Sequence, residues 1–460
     1  MLNSANLSPL LPVGITALFL LFGGASRNDA LSQVVVGLIA IAALCWGLFR
    51  SNRETWRRGR AILALLGALV LLNLLQLLPL PPGLWASLPG RSGLATDLAG
   101  IGLGEVWRPI SLAPDRTISS LLGLLPPVAV AVLLANARRD IRLPMLTLLV
   151  ATVALSGLLG AAQVASGVGY FYRITNEGAA VGLFANRNHQ AALLACGLPI
   201  TAGWMVWPRR NSRAQRNAML LGLCVVGGIY PLLMITGSRA GILLGALATV
   251  AAALVGWLGW GSARIGSLDR RRLRPLLVAP FAIGAVLALT TILASRDVAL
   301  QRLFAPGQDS IRRELLPVYL DMAKTYFPLG SGFGSFDPVF RMVEPMSNLS
   351  PTYLNQAHND LVQLAIEAGL PGLLLGIVGP IVILIVGLRG LRGRRQDVPP
   401  SCAAMALSVL ALLVTASAVD YPLRTPGLAV LFTLFAAFLL IGPHDAGRSA
   451  ERVGSPSHID

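Results

Sequence analysis

The sequence predicts an all-α polytopic membrane protein with a long, partly helical loop on one face of the bilayer. Three observations lead there. Of 460 residues, 55% are hydrophobic and 13% are charged, and the mean hydropathy is +0.69; a soluble chain of that make-up has too little polar surface to cover itself. Apolar stretches close to the roughly 20 residues that cross a hydrocarbon core recur along its length. Arginines cluster after every second stretch, the asymmetry that orients membrane helices.

In order, the stretches are 9–25, 31–49, 61–79, 118–135, 143–166, 189–207, 218–235, 240–259, 276–294, 370–388, 402–419 and 427–442. By length these are about twelve transmembrane helices. Arg50, Arg53, Arg57, Arg58 and Arg60 follow the second; Arg138, Arg139 and Arg142 the fourth; Arg209, Arg210, Arg213 and Arg216 the sixth. Arg264, Arg270, Arg271, Arg272 and Arg274 follow the eighth, and Arg389, Arg392, Arg394 and Arg395 the tenth. The positive-inside rule makes these loops, and both termini, cytoplasmic. The expected organisation is an N-terminal membrane domain over 1–294 (spans one to nine), a periplasmic loop over 295–369 between spans nine and ten, spans ten to twelve over 370–442, and a cytoplasmic tail over 443–460.

The net charge of +16 is then largely a topology signal. A nucleic-acid partner would need basic residues gathered on one face with base-reading or stacking groups; these arginines are spread over short loops, so the expected surface partner is the lipid bilayer. Cys45, Cys196, Cys224 and Cys402 all fall inside spans and read as packing residues rather than a disulfide framework. The N-terminus lacks a basic region followed by a small-residue cleavage site, so the first stretch reads as a retained span. The remaining polar material, at 80–117, 167–188, 236–241, 295–357 and the turn Asp420–Pro426, belongs to the face opposite the arginines. Chemistry is expected there.

Within the long loop, Ile311–Lys324 has apolar residues at helical spacing, with Asp309 or Ser310 as its cap and Pro317 as a point where it can split. The alternating glycines of Pro328-Leu-Gly330-Ser-Gly332-Phe-Gly334-Ser-Phe336 permit tight turns. With no strand-helix-strand unit around them they do not form a dinucleotide loop; they read as a turn packing the loop onto the membrane domain. A second helix is expected after Asn355 as N-cap, with Leu361, Val362, Leu364, Ala365 and Ile366 as its apolar side and Gly369 and Pro371 as its stop. His358 would fall in its first turn, where the helix dipole favours a neutral ring able to accept a proton. Asn359, Asp360 and Gln363 would orient that ring or a bound hydroxyl group. His444 and His458 lie in the tail, so His189 and His358 are the histidines near the hydrophobic body. Taken alone, His358 is better explained as an interfacial polar residue without chemistry, and only the resemblance below reverses that.

Two arginines fit topology poorly. Arg239 lies in the short turn Thr236-Gly-Ser-Arg-Ala-Gly241, and Arg187 lies at the external end of span six between Asn186 and Asn188. Both are on the face where arginine is uncommon, and arginine at membrane depth usually has a specific partner. A guanidinium matches two phosphate oxygens at once, so the pair reads as a site for a shared anion, a diphosphate. Snorkelling to headgroups is the alternative.

Together, Phe184-Ala-Asn-Arg-Asn-His189, Gly237-Ser-Arg-Ala-Gly241, the glycine segment and Gln356-Ala-His-Asn-Asp-Leu-Val-Gln-Leu-Ala-Ile-Glu-Ala-Gly-Leu-Pro-Gly372 resemble the bacterial O-antigen ligase and polysaccharide polymerase superfamily over about 180–390. The resemblance implies a GT-C-like membrane fold in the inner membrane. It further implies transfer of a glycan from undecaprenyl diphosphate to an acceptor hydroxyl at the periplasmic face, without metal, nucleotide or other cofactor. The acceptor is lipid A-core in ligases, a growing lipid-linked polysaccharide in polymerases, and a protein hydroxyl in some oligosaccharyltransferases. By the same resemblance His358 is the general base and Arg187 and Arg239 hold the diphosphate. Arg312 and Arg424 are weaker candidates for added positive charge near the donor, with Asn359 and Asp360 beside the base. A polysaccharide transporter or flippase would share the span count, and an assembly scaffold is a third reading; polar chemistry and a structured loop confined to one face favour the enzyme.

Overall fold

The computed structural model describes residues 10–26, 30–260, 308–349 and 354–442. The expected ninth span at 276–294, the arginines at 264–274, the tail from 443 and the side chain of Arg312 lie outside the described residues.

The chain is an all-α polytopic membrane protein. The helices are α1 (Leu10–Phe22), α2 (Ala30–Arg50), α3 (Arg53–Gln76), α4 (Pro82–Ala86), α5 (Ser92–Gly100), α6 (Pro114–Gly123), α7 (Leu125–Asn136) and α8 (Arg142–Ser166). They continue with α9 (Arg187–Val206), α10 (Ser212–Ile235), α11 (Arg239–Gly259), α12 (Gln308–Tyr326), α13 (Phe336–Arg341), α14 (Asp360–Leu391), α15 (Pro400–Ser417) and α16 (Pro426–Leu440). Among the described residues, counting Pro114–Asn136 as one segment, eight are long and apolar enough to cross a membrane, and α1 and α16 are shorter apolar helices. Short loops become helix starts through side-chain caps: Asn52, Asn186, Asn211, Ser238 and Asn359 each accept a backbone N–H of the following turn.

Helix α9 is less apolar than these spans because it has no lipid to face. Every residue from His189 to Val206 is buried, with α8, α10, α11 and α15 packed around it. The approach of α11 is close enough to require glycine. A Cβ on Gly241 would stand 2.4 Å from Ala191 Cβ, and one on Gly259 would stand 2.2 Å from Val206 Cγ2. Small residues let membrane helices gain dispersion contacts where no hydrophobic driving force separates lipid from protein.

The two ends of the bundle differ. At one, Arg58 donates to the carbonyls of Ala135 (2.9 Å), Ala137 (2.8 Å) and Gly442 (3.0 Å), and Arg142 donates to that of Asp397 (2.8 Å). The arginine-bearing loops therefore meet there. At the other end the segments 23–26, 77–113, 167–186, 308–349, 354–359 and 418–425 join one another, through Ala185 N–H to Gly24 O (3.0 Å), Leu112 N–H to Ser331 O (2.8 Å) and the contacts of the site below.

The long loop is pinned to the bundle through its glycines. Gly330, Gly332 and Gly334 all have positive φ, and Cβ atoms on the first two would stand 2.4 Å from Glu367 O and 2.1 Å from Ser111 Oγ. Ser331 and Gly332 donate to the carbonyls of Ile366 and Glu367, each at 2.9 Å. Arg91, fully buried, clasps the same turn by donating to Gly330 O (3.1 Å) and Ile110 O (2.6 Å). Behind it, Tyr319 of α12 meets Phe336 and Phe340 of α13 edge-on. Helix α12 runs through Pro317 without splitting, held by the buried Leu315, Tyr319, Met322 and Tyr326. Asp309 and Ser310 lie inside its first turn rather than capping it from outside.

Candidate active site

The helix carrying His358 starts later than its sequence suggests. Asn359, not Asn355, is the N-cap of α14, accepting from Leu361 N–H and Val362 N–H at 3.1 Å each. His358 therefore precedes the helix, in a left-handed conformation with φ 51°, and the first-turn dipole argument for a neutral ring does not apply to it. Nor does α14 stop at Gly369: it kinks there (φ 55°, ψ −145°) and continues to Leu391.

What orients His358 is a carboxylate. Its Nδ1 lies 2.8 Å from Asp420 Oδ1, with the His358 side chain 13% and the Asp420 side chain 4% exposed. An ionised carboxylate can only accept, so Nδ1 carries the proton and Nε2 presents its lone pair. Burial alone would raise the Asp420 carboxyl. The hydrogen bond from His358, the rings of His189 and His358 and the Asn188 amide outweigh it and hold the acid well below the ordinary carboxylate range.

From Asp420 the network runs to both arginine-bearing turns. Asn188 Nδ2 donates to Asp420 Oδ2 (2.9 Å), and Ser238 Oγ donates to Asn188 Oδ1 (2.8 Å). Ser238 caps α11, whose first residue is Arg239; Asn186 caps α9, whose first residue is Arg187. The two arginines thus open neighbouring helices, whose N-termini carry positive dipole ends. Gly237, at φ +63°, places its backbone beside Arg187: a Cβ there would lie 3.9 Å from Arg187 Nη1. Arg187 is exposed and Arg239 half-buried.

Arg424, Asp360 and Glu367 form a third group. Arg424 Nε donates to Asp360 Oδ1 (3.0 Å) and its Nη1 to Glu367 Oε2 (2.9 Å). Burial works against the Arg424 charge, but the Glu367 and Asp360 carboxylates more than offset it and raise its pKa. Its charge is therefore matched by two acids of α14. Glu367, fully buried, also accepts from Gln363 Nε2 (2.8 Å), and Gln363 Oε1 accepts from Ala357 N–H (2.9 Å). Through these bonds α14 fixes the residue before His358 and the turn that carries Asp420.

His189 supports that turn from below. Fully buried, it hydrogen-bonds Thr425 Oγ1 through Nδ1 (2.9 Å) and meets the Tyr421 ring edge-on at 5.2 Å. The other side of Tyr421 lies 5.0 Å from the His358 ring. Among the described residues no group of three His, Cys, Asp or Glu side chains is arranged to hold a metal ion.

Residues 229–377 match the family model described as O-antigen ligase. That match supports membership of the chain in the O-antigen ligase superfamily. It indicates a function of O-antigen ligase or polymerase type and lipid-linked glycan substrates. The O-antigen ligase match spans Arg239 and His358; Arg187, Asp420 and Arg424 lie outside it and join the site through the fold. No curated protein is significantly similar to the chain.

Asp420 and Glu367 are the site residues that sequence reasoning passed over. A signal existed for each. Asp420 is an acid directly after an apolar span, and Glu367 sits inside an otherwise apolar helical face; ionisable residues in such positions are costly and call for a partner.

Proposed function

We propose that this chain transfers a glycan from undecaprenyl diphosphate to an acceptor hydroxyl at the periplasmic face of the inner membrane, the acceptor being lipid A-core or a growing lipid-linked polysaccharide. The observation that carries the reading is the His358 Nδ1 to Asp420 Oδ1 pairing at 2.8 Å, joined through Asn188 and Ser238 to the helix starts that bear Arg187 and Arg239. The carboxylate keeps Nε2 as the acceptor, so it is the atom that takes the acceptor's hydroxyl proton. The freed oxygen forms a bond to the anomeric carbon as the bond from that carbon to the diphosphate oxygen breaks. Charge gathers on the departing diphosphate, where two guanidinium groups at two helix N-termini stabilise it. One base and in-line displacement invert the anomeric configuration.

The test is transfer from purified undecaprenyl-diphosphate donor in liposomes, with chelator present. Arg239→Lys retains charge but loses the bidentate fork, and it is expected to impair transfer nearly as much as Arg239→Ala. Normal transfer by both Arg187→Ala and Arg239→Ala, at wild-type protein levels, overturns the diphosphate assignment. Loss of transfer on adding chelator overturns the metal-free mechanism.

A further inference from the structure

Away from the site, at the arginine-bearing end, an open, shallow groove of about 390 Å³ runs between α8, the end of α9 and α10, lined by Leu143, Thr147, Trp204, Arg209, Asn217 and Leu221 among others. We propose that it binds the headgroup and upper acyl chain of an anionic phospholipid. The lining changes character along the groove. Arg209 lies in the loop 207–211 and Asn217 in the second turn of α10, Leu143 begins α8 beside them, and Leu221 stands one turn farther along α10 on the apolar side. Ala214, Asn217, Ala218 and Leu221 share one face of α10, at the spacing of successive helical turns. Leu220 and Leu221 are 55% and 61% exposed, so that side is continuous with the lipid-facing surface of the helix.

Charge selects the headgroup. The Arg209 guanidinium lies 4.7 Å over the Trp204 ring and its Nη2 donates to Trp204 O (3.1 Å), while Nη1 is buried with no hydrogen-bond partner. Arg209 as a whole is only half-buried and lines the groove, so a phosphodiester oxygen there meets its positive charge. The neighbouring Arg142 is already engaged by Asp140 and the Asp397 carbonyl. No acidic residue is among those lining the groove, and Arg210, Arg213 and Arg216 add exposed positive charge around its mouth. Basic pockets between helices at a membrane surface hold anionic headgroups in this way.

The full chain, purified in detergent, is to be mixed with phosphatidylglycerol or with phosphatidylcholine of the same acyl chains. Retained lipid is read by native mass spectrometry and stability by thermal unfolding. One equivalent of phosphatidylglycerol is expected to survive, with a higher Tm, where phosphatidylcholine is lost. Arg209→Gln should lower that retention about tenfold or more, the effect of one charge-assisted contact. Leu221→Trp, which fills the apolar mouth without touching the polar groups, should do the same in a folded protein and keeps the test open if Arg209→Gln does not fold. Equal retention of the two lipids, or wild-type retention by Leu221→Trp or by folded Arg209→Gln, overturns the proposal. So does inorganic phosphate giving the same stabilisation, which marks an anion site with no lipid.

Discussion

His358 does not reach its ring geometry from its own helix. It stands in a left-handed conformation that non-glycine residues adopt at a cost, and it is held there by Asn359 capping on one side and the Asp420 carboxylate on the other. Loss of a general base typically lowers rate by about 10²- to 10⁴-fold, so His358→Ala is expected to insert and fold yet transfer little glycan; transfer at the wild-type rate sinks the assignment. Asp420→Asn keeps the shape but can present the wrong hydrogen-bonding partner to Nδ1, which frees the ring to take the other tautomer, and its transfer rate should fall in the same range. Linkage separates this acid from an inert one. Because its folded pKa is depressed, the stability Asp420 contributes is present above the ordinary carboxylate value of about 3.9 and is lost as pH falls from there through the folded value. The Tm gap between wild type and Asp420→Asn should persist from about pH 8 to about pH 5 and be lost only in stronger acid. A gap that closes near neutrality would show that the carboxylate is not held as described. His358 was legible as a candidate in the sequence because so few histidines lie near the hydrophobic body. Its partner was not, since Asp420 is 62 residues away and only the packing of α15 against α14 brings the two together.

At the scale of elements, glycine patterning carried the most structural information that the sequence offered. The loop glycines were readable as a packing turn, and they do press the loop onto α14. What they press against was not readable: Gly369, expected to end a helix, is a kink whose absent Cβ leaves room for Pro328 O, 2.1 Å from where that atom would stand. A backbone with φ 55° and ψ −145° is nearly closed to other residues. Gly369→Ala should therefore cost about 1–3 kcal/mol from backbone strain alone, seen as a lower Tm, with the turn 328–332 more readily proteolysed. The Arg424 cluster belongs to the same scale, tying the turn 420–425 to the arm of α14 that precedes that kink. Removing Arg424 leaves Asp360 and Glu367, both with little exposure, without their shared counter-charge, and breaking a buried pair in this way costs about 3–5 kcal/mol. Arg424→Met is expected to be far less stable than Arg424→Met combined with Glu367→Met and Asp360→Asn, in which the orphaned charges are also gone. Equal stability of the two variants would mean that the ion pairs do not hold the turn.

For the whole molecule, the fold follows from a bilayer's two demands: apolar segments long enough to cross, and polar groups sorted to its two sides. The arginine-bearing loops meet at one end through Arg58 and Arg142, and His358, Asp420, Arg187 and Arg239 gather at the other. That division was readable from charge spacing alone, whereas the buried position of α9 was not, because burial on all sides depends on partners distant in sequence. The positive-inside rule sets the expectation that the site end faces outward, and it is testable at single residues. In a chain whose four cysteines, all free, are replaced by alanine or serine, Met346→Cys introduces a thiol on the site side at a position 83% exposed. Arg394→Cys introduces one in the exposed turn after α14 at the arginine end. A membrane-impermeant maleimide added to intact cells is expected to label the cysteine at 346 and to reach the one at 394 only after the inner membrane is permeabilised. Labelling in the opposite order would turn the molecule over, putting His358 and both site arginines on the cytoplasmic side. The proposed periplasmic transfer reaction could not then proceed. Labelling of both positions before permeabilisation would break the alternation itself, since helix α14, 32 residues long with one kink, is the segment that separates them.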